Sequence, residues 1–428
     1  MTETQSADQL RTITRFSALS LVVGLVVGLA AALFVMTQRT VTTWIWHTIP
    51  QALGQATLPW WLMVGLPIIG AGLTWMALQL PGGGGLGPLQ GAALDTGPRE
   101  VGSVMLAALA SLCFGAVLSP AGPLMALGTA LGALTFRDPL HPARNMMMTI
   151  GALAAGGAVM GNPLVTTILL LEVVVFDGQA SLGKTNVILP ALAGLAGGYM
   201  VQVGLGPWSG LGEVQLALPG LTKYDQVKIP DLLVGVVLAA AVAVVSYLAL
   251  RSGYLVSRLA TKSGLWTLLL SGAVVGLCSW FVVFTTGQSH ELVLFAGNGA
   301  MLSYLAPPTM LAAVVVFAGK FIAYAFCLGG GFRGGVLFPA IALGTMMAGI
   351  TCLIVGTDGM PALAAVAIAA ATAGSLGKPF TALVMAVLLT NSAGSAVTVP
   401  AIVGAIVGML VNLYLNGRFS PKAATPDA

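Results

Sequence analysis

Long, continuous runs of apolar residues dominate this chain, and charged residues are confined to short intervals between them. No Asp, Glu, Lys or Arg occurs between Arg39 and Asp95, or between Lys378 and Arg418. Because a helix that spans a bilayer needs about 20 apolar residues, such intervals can hold one or two spans each. The runs lack the alternation of period two that a membrane β-barrel requires, so the pattern predicts an all-α integral membrane protein.

Several apolar runs are too short to cross a bilayer alone. Residues 103–117 and 379–389 are examples, and the 56 glycines and 23 prolines interrupt many others. Irregular backbone at membrane depth is tolerated only where it packs inside protein or lines a wet cavity, and broken helices often mark the site of a transporter. We therefore expect many tilted and broken helices around a transport site.

An internal repeat relates the two halves of the chain. The segment Pro123–Thr129 (PLMALGT) recurs 216 residues later as Pro339–Thr345 (PAIALGT), and Gly161–Pro163 (GNP) recurs at the same offset as Gly377–Pro379 (GKP). Two independent matches at one offset predict two similar halves within one membrane domain. The predicted domain covers residues 13–417, the halves cover about 13–210 and 228–417, and residues 1–12 and 418–428 are short polar tails.

Composition agrees with this class and excludes others. Charged residues make up 7% of the chain and hydrophobic residues 57%, whereas soluble proteins carry about 25% charged residues. The net charge of +4 is small, so we expect no nucleic-acid partner. Arg11 and Arg15 precede the first apolar run, and Arg418 and Lys422 follow the last. This placement predicts that both termini are cytoplasmic.

Catalytic and metal-binding chemistry finds no support in the sequence. The four cysteines lie inside apolar runs without the spacing of a metal site, and the three histidines are far apart. A buried thiol behaves as a small apolar side chain. No nucleophile and base occur together, so we expect neither an enzyme, nor a metal, nor an organic cofactor.

Four Gly- and Pro-rich breaks fall where apolar helices are predicted to begin. They lie at residues 82–88, 119–123 and 334–339, and at the repeated pair Asn162-Pro163 and Lys378-Pro379. A helix N-terminus inside a membrane presents unpaired N–H groups and a partial positive charge, which a small anion can satisfy. Several such N-termini together predict a weak anion site. The alternative is that the breaks only allow helices to pack closely.

These motifs resemble those of the CLC family of chloride channels and chloride/proton antiporters. The stretch that runs from Ala143-Arg144 through Gly151–Gly156 and Asn162–Leu164 to Glu172 is similar to the family's Ala-Arg, Gly-Ala-Ala-Ala-Gly, Ala-Pro-Leu and Glu-Glu. Residues 320–345 resemble the stretch ending in Gly-Gly-Ile-Phe-Ala-Pro and Leu-Ala-Leu-Gly-Thr. The resemblance implies a CLC-like fold with inverted halves, a homodimer with one anion pathway per subunit, and a place in the bacterial inner (plasma) membrane.

The resemblance also assigns the residues of an anion pathway. Residues 83–88 are similar to the family's Gly-Ser-Gly-Ile-Pro-Glu, and residues 119–123 to its Gly-Arg-Glu-Gly-Pro. Bound chloride or a similar anion is expected there. The implied pathway residues are Gly84, Gly85, Leu86, Ala121, Gly122, Pro123, Val336, Leu337 and Phe338.

This chain departs from the family pattern at the positions that handle protons. The gating glutamate aligns with Ala121, and the second, proton-relaying glutamate aligns with Val173. The serine that contacts the central anion aligns with Gly84, and no tyrosine stands at the corresponding place near Pro421. The resemblance therefore implies an anion site that depends on backbone N–H groups.

Three charged residues within or beside apolar segments are candidates for accessory roles: Glu172, Lys320 and Lys378. A cation near the pathway would raise the occupancy of anions. The alternative for Lys320 and for Arg333 is a place at the membrane face or a pairing with carboxylates. In the family's pattern, the glutamate that aligns with Glu172 has a structural role.

The leading hypothesis is a passive, chloride-like anion channel or uniporter without proton coupling, whose partners are small inorganic anions and membrane lipid. One alternative is a proton-coupled anion antiporter that uses another proton carrier, with Glu172, His290 and Glu291 as candidates. A second alternative is a membrane subunit that transports nothing.

Overall fold

Sixteen α-helices account for most of the residues that the structure describes. This computed structural model describes residues 3–55, 58–91, 96–136, 138, 140–141, 143–173, 184–209, 217–259 and 264–419. The helices are α1 (Glu3–Thr43), α2 (Ile49–Ala52), α3 (Trp60–Leu78), α4 (Val101–Leu112), α5 (Ala121–Ala133), α6 (Arg144–Met160), α7 (Pro163–Leu171), α8 (Lys184–Ser209), α9 (Ile229–Leu259), α10 (Gly264–Thr286), α11 (Met301–Leu305), α12 (Met310–Gly329), α13 (Leu337–Val355), α14 (Met360–Leu376), α15 (Pro379–Leu389) and α16 (Thr398–Phe419).

Eight helical segments within the described chain are long and apolar enough to cross a membrane. Four shorter apolar helices of 10–17 residues, α4, α5, α14 and α15, accompany them. Two of these, α4 and α15, fall where the sequence predicts segments too short to cross alone. The helices thus confirm the prediction of an all-α membrane protein with broken segments.

The predicted repeat is visible in the helices themselves. The helix pairs α5 and α13, α6 and α14, and α7 and α15 each begin 216 residues apart. The one isolated β-bridge among the described residues joins Ser119 to Gly335 in antiparallel fashion, and these two residues are also 216 apart. Antiparallel pairing of equivalent residues is what a two-fold axis between two halves produces, which agrees with an inverted repeat.

Glycine allows the helix that carries the first half of the site to pack closely. A Cβ atom added to Gly128 on α5 would lie 2.1 Å from the carbonyl oxygen of Gly151 on α6, and one added to Gly151 would lie 2.1 Å from that of Gly128. Since real Cβ atoms do not approach so near, these glycines bring the backbones of α5 and α6 into direct contact. The position of α5 is therefore fixed by its neighbour in the same half.

The predicted limits of the membrane domain at residues 13 and 417 do not coincide with helix ends. Helix α1 begins at Glu3 and so includes most of the predicted N-terminal tail, and α16 continues to Phe419. The rest of the predicted C-terminal tail, residues 420–428, lies outside the described residues. The domain limits and the cytoplasmic side of the tails stay predictions.

Candidate functional site

The starts of the equivalent helices α5 and α13 lie side by side at the Ser119–Gly335 bridge. The N–H of Ser119 donates to the carbonyl of Gly335 at 2.9 Å, and the N–H of Gly335 donates to the carbonyl of Ser119 at 2.6 Å. A Cβ atom on Gly335 would lie 2.6 Å from Ser119 Oγ and 3.1 Å from the backbone nitrogen of Gly122. Only glycine therefore lets the two helix starts approach this closely.

Backbone N–H groups at these two helix starts have no partner in the part of the chain that the structure describes. They belong to Ala121 and Gly122 on α5 and to Leu337 and Phe338 on α13. No side chain caps either helix. The first N–H groups of any helix lack an intrahelical acceptor, and the helix dipole adds a partial positive charge there. The pair of helix starts therefore has the donors that a small anion requires.

Two cavities reach this pair of helix starts. The first, of about 460 Å³, touches Ala121, Gly122 and Leu337. The second, of about 330 Å³, touches Pro120 and Phe338. Adjacent residues at each helix start, Pro120 and Ala121 on one side and Leu337 and Phe338 on the other, thus contribute to different cavities. The residues that carry the unpaired N–H groups therefore line one cavity or the other.

All charged residues among the described residues that line the two cavities are basic. Arg333 and Lys378 line the first cavity, and Arg39 lines the second. No Asp or Glu occurs among the described lining residues of either cavity. Clefts lined by one sign of charge are the kind that can concentrate ions of the opposite sign.

Most of the residues assigned to the pathway from sequence lie around these cavities. Gly84, Leu86, Pro123 and Val336 line the first cavity together with the residues of the helix starts, and so does Val173. Phe338 instead lines the second cavity. Gly85 is among the lining residues of neither, because it packs against Val104, whose nearest methyl carbon would lie 2.8 Å from an added Cβ. Their role in anion transport stays a prediction.

The break at residues 82–88 does not supply the free helix start that the sequence predicts. Pro88 opens only a single 3-10 turn, Pro88–Gln90. The N–H of Gly84 donates to Ser103 Oγ at 3.2 Å, and the N–H of Gly85 donates to the carbonyl of Gly82 at 3.1 Å. These two N–H groups are therefore occupied within the protein, and the expectation of a third converging helix N-terminus is wrong.

The fourth break differs from α5 and α13 because side chains cap its helices. Asn162 Oδ1 accepts the N–H of Leu164 at 2.9 Å at the start of α7. The equivalent residue before α15 is Lys378, which has no acceptor atom. The carboxylate of Glu172 takes its place and accepts the N–H groups of Phe380 and Thr381, each at 2.8 Å. Glu172 also accepts the hydroxyl of Thr381.

The two candidate accessory residues Glu172 and Lys320 thus lie in structural contacts, outside the lining of either cavity. Lys320 is fully buried, and its Nζ donates to the carbonyls of four successive residues, 292–295, at 3.1–3.4 Å. It therefore lies neither at the membrane face nor against a carboxylate within the described chain. Its contacts fix the loop that includes Phe295, which lines the second cavity.

From the sequence, Arg333 was considered as a cation near the pathway without being assigned to it, and Arg39 was not considered, although both line the cavities. The signal for Arg333 was its place directly before the third Gly-rich break at residues 334–339. No comparable signal marked Arg39, because its neighbours in the cavity come from segments far away in sequence.

The fold and this site define a class: a polytopic membrane protein built from two inverted halves whose helix starts meet between two basic cavities. The family described as "Voltage gated chloride channel" matches residues 86–413, more than half of the chain. The chain therefore belongs to the voltage-gated chloride channel (CLC) family, whose members transport anions across membranes and are not enzymes.

Individual relatives agree with this assignment. YfeO of Salmonella schwarzengrund, a candidate ion-transport protein, is 23% identical over 338 residues, which cover 76% of this chain and 78% of the relative. Among solved structures, a slow cyanobacterial chloride/proton antiporter matches with a TM-score of 0.75 at 20% identity over 94% of this chain and 95% of its own. A CLC-type fluoride/proton antiporter matches with a TM-score of 0.70 at 18% identity over the same shares. These structures confirm the predicted CLC-like fold.

Proposed function

We propose that this protein lets small inorganic anions, chloride among them, cross the membrane passively as a channel or uniporter without proton coupling. One observation carries the proposal: no carboxylate occurs among the described residues that line the two cavities. Ala121 stands at the aligned position of the family's gating glutamate, and Val173 stands at that of the proton relay. Neither side chain can take up a proton.

The unpaired N–H groups of α5 and α13 support passive conduction. They offer an anion partial charges and hydrogen bonds without a full positive charge at the constriction itself. Conduction requires binding that is favourable enough to admit the ion and weak enough to release it. Backbone donors between two basic cavities meet both requirements.

The proton-coupled alternative has one observation in its favour, since two of the structurally similar proteins are antiporters. Its candidate proton carriers lie elsewhere in this chain. Both oxygens of Glu172 accept hydrogen bonds at the start of α15. Glu291 pairs with His47 at 3.2 Å, and His290 stacks on Trp46 with ring centroids 5.6 Å apart. None of the three lines a cavity at the helix starts.

The test is anion efflux from liposomes that contain the purified full chain, with pH recorded at the same time. We expect chloride to move down its gradient at a rate unaffected by an imposed proton gradient, with no accompanying proton movement. Uphill proton movement driven by chloride would contradict passive transport and favour the antiporter. Absence of flux for every halide and for nitrate would favour the non-transporting subunit.

The assembly and location are part of the same proposal. We propose a homodimer with one pathway in each subunit, in a bacterial plasma membrane, with both termini cytoplasmic. Chemical cross-linking in membranes tests the dimer, and labelling of cysteines introduced near each terminus tests their side.

A further inference from the structure

Arg333 is a cation built into the wall of the first cavity. It stands two residues before Gly335 of the bridge and lines the same cavity as Gly122 and Leu337. Its guanidinium Nε donates to the carbonyl of Gly84 at 3.0 Å. Its backbone N–H donates to Ser111 Oγ at 3.0 Å. The contact with Gly84 holds the side chain against the glycine-rich loop at residues 82–88, which belongs to the first half of the repeat.

The glycines of that loop leave the space that the guanidinium occupies. A Cβ atom on Gly84 would lie 3.5 Å from Arg333 Nε, and one on Gly87 would lie 3.3 Å from Nη1. At Gly84 an added Cβ would first meet Leu78 Cδ2, at 2.2 Å, whereas at Gly87 the guanidinium is the nearest group that a side chain would meet. The guanidinium therefore packs against the loop that contains the two glycines, although about 250 residues separate them along the chain.

The charge of Arg333 has no carboxylate partner within the described chain. Its three side-chain nitrogens all donate to backbone carbonyls. The bond from Nε to Gly84 is the shortest, whereas those from Nη1 to Gly331 at 3.4 Å and from Nη2 to Gly83 at 3.5 Å are near the upper limit for a hydrogen bond. A guanidinium carries five N–H groups and stays protonated in proteins. Two N–H groups, one on each terminal nitrogen, therefore remain for a ligand.

We propose that Arg333 is the anion-binding side chain of the first cavity, and that it makes the cavity prefer planar monovalent oxyanions to chloride. This inference rests on the proposed function and names its substrate class. A planar fork of two N–H groups matches two oxygens of one anion through parallel hydrogen bonds. A spherical halide cannot use this geometry. The cavity, at about 460 Å³, is far larger than a single halide ion.

Binding of nitrate and of chloride to the detergent-purified full chain, measured by calorimetry, tests the proposal directly. We expect nitrate to bind the wild-type protein about tenfold more tightly than chloride, which corresponds to one additional charge-assisted hydrogen bond. The variant Arg333→Lys retains the charge and loses the fork, so it should bind both anions with similar affinity. Equal or tighter binding of chloride by the wild type would overturn the proposal without reference to any variant.

Lys378→Gln is the matched control, because it removes one positive charge from the same cavity and leaves the guanidinium in place. It should weaken both anions by a similar factor and keep the tenfold preference. A preference that survives in Arg333→Lys but disappears in Lys378→Gln would contradict the role of Arg333. Liposome flux separates the two proposals: chloride transport with no nitrate preference removes only this inference, whereas absence of all flux removes the proposed function.

Discussion

At the residue scale, the proposed passage of anions depends most directly on the side chain of Ala121. It is the first residue of α5, it lines the first cavity, and its own N–H is among the unpaired donors. A methyl group neither competes with an anion for those donors nor carries a proton. A carboxylate at the same place would do both, since anionic side chains are stabilised at helix N-termini.

The variant Ala121→Glu tests this reasoning. At neutral pH the new carboxylate should occupy the donors of α5 and lower chloride flux about tenfold, as expected for about 1.4 kcal/mol of competing interaction. Protonation removes the charge, so flux should recover once the pH is low enough to protonate the carboxylate. Liposome flux at several pH values provides the measurement. Ala121→Gln cannot titrate and should show no such recovery; equal pH profiles in the two variants would contradict the reasoning.

Gly335 is the second residue on which the geometry depends. Replacing it with alanine places a methyl carbon 2.6 Å from Ser119 Oγ and 3.1 Å from the backbone nitrogen of Gly122, so the Ser119 side chain must move and the two helix starts are pushed apart. We expect the variant to lose about 1–3 kcal/mol of stability, as is typical of overpacking, together with most of its anion flux. Thermal unfolding in detergent and liposome flux check this. Gly102→Ala is the control, because nothing lies within 4 Å of a Cβ there; equal behaviour of the two variants would show that the bridge is dispensable.

Single residues also show where prediction from sequence reached its limit. The repeated Gly-Pro motifs predicted the starts of α5 and α13, and the family resemblance assigned nine pathway residues, of which seven line the first cavity. The same reasoning failed at Gly84, whose N–H is occupied by Ser103, and it did not predict that Gly84 holds Arg333 from 249 residues away. These contacts depend on how the halves pack, and no local pattern encodes them.

At the scale of elements, the four equivalent helix starts divide into two kinds. Those of α5 and α13 are uncapped and face the cavities, whereas those of α7 and α15 are capped by Asn162 and Glu172. A capped helix start offers fewer donors to an anion, because its N–H groups are already paired. The repeat therefore supplies similar elements to both halves, and the caps determine which of them can serve an ion.

Replacing Glu172 tests whether that carboxylate caps a helix or carries protons. We expect Glu172→Ala to lose about 2 kcal/mol and Glu172→Gln about 1 kcal/mol of stability, because the buried N–H groups of α15 lose part or all of their acceptor. Chloride flux per folded molecule should persist in both. Thermal unfolding and liposome flux are the measurements. The half-exposed Glu291, replaced by Gln, should change stability little, and loss of proton movement confined to the Glu172 variants would support the antiporter instead.

At the scale of the whole molecule, the repeat offset of 216 is the feature from which the fold could be predicted. It holds for the starts of three helix pairs and for the bridge residues Ser119 and Gly335. Helices α6 and α14 even end at equivalent residues, because Gly161 and Gly377 both adopt a left-handed conformation, with φ of 62° and 66°. The two cavities could not be predicted, since each is lined by segments from both halves.

The separation of the basic residues between the two cavities has a consequence for the direction of flow. Lys378 lines the first cavity together with Ala121, and Arg39 lines the second together with Phe338. A cation in a cavity raises the local concentration of anions that enter from that side.

Replacing Arg39 with Gln should therefore lower anion current about two- to fivefold in one direction, and replacing Lys378 with Gln should lower it in the other, at low ionic strength. Current–voltage relations of membrane patches, in which all copies share one orientation, provide the measurement. Both effects should fade at about 1 M salt, where charges are screened within about 3 Å; a loss that is equal in both directions would show that the two cavities do not lie on opposite sides of the barrier.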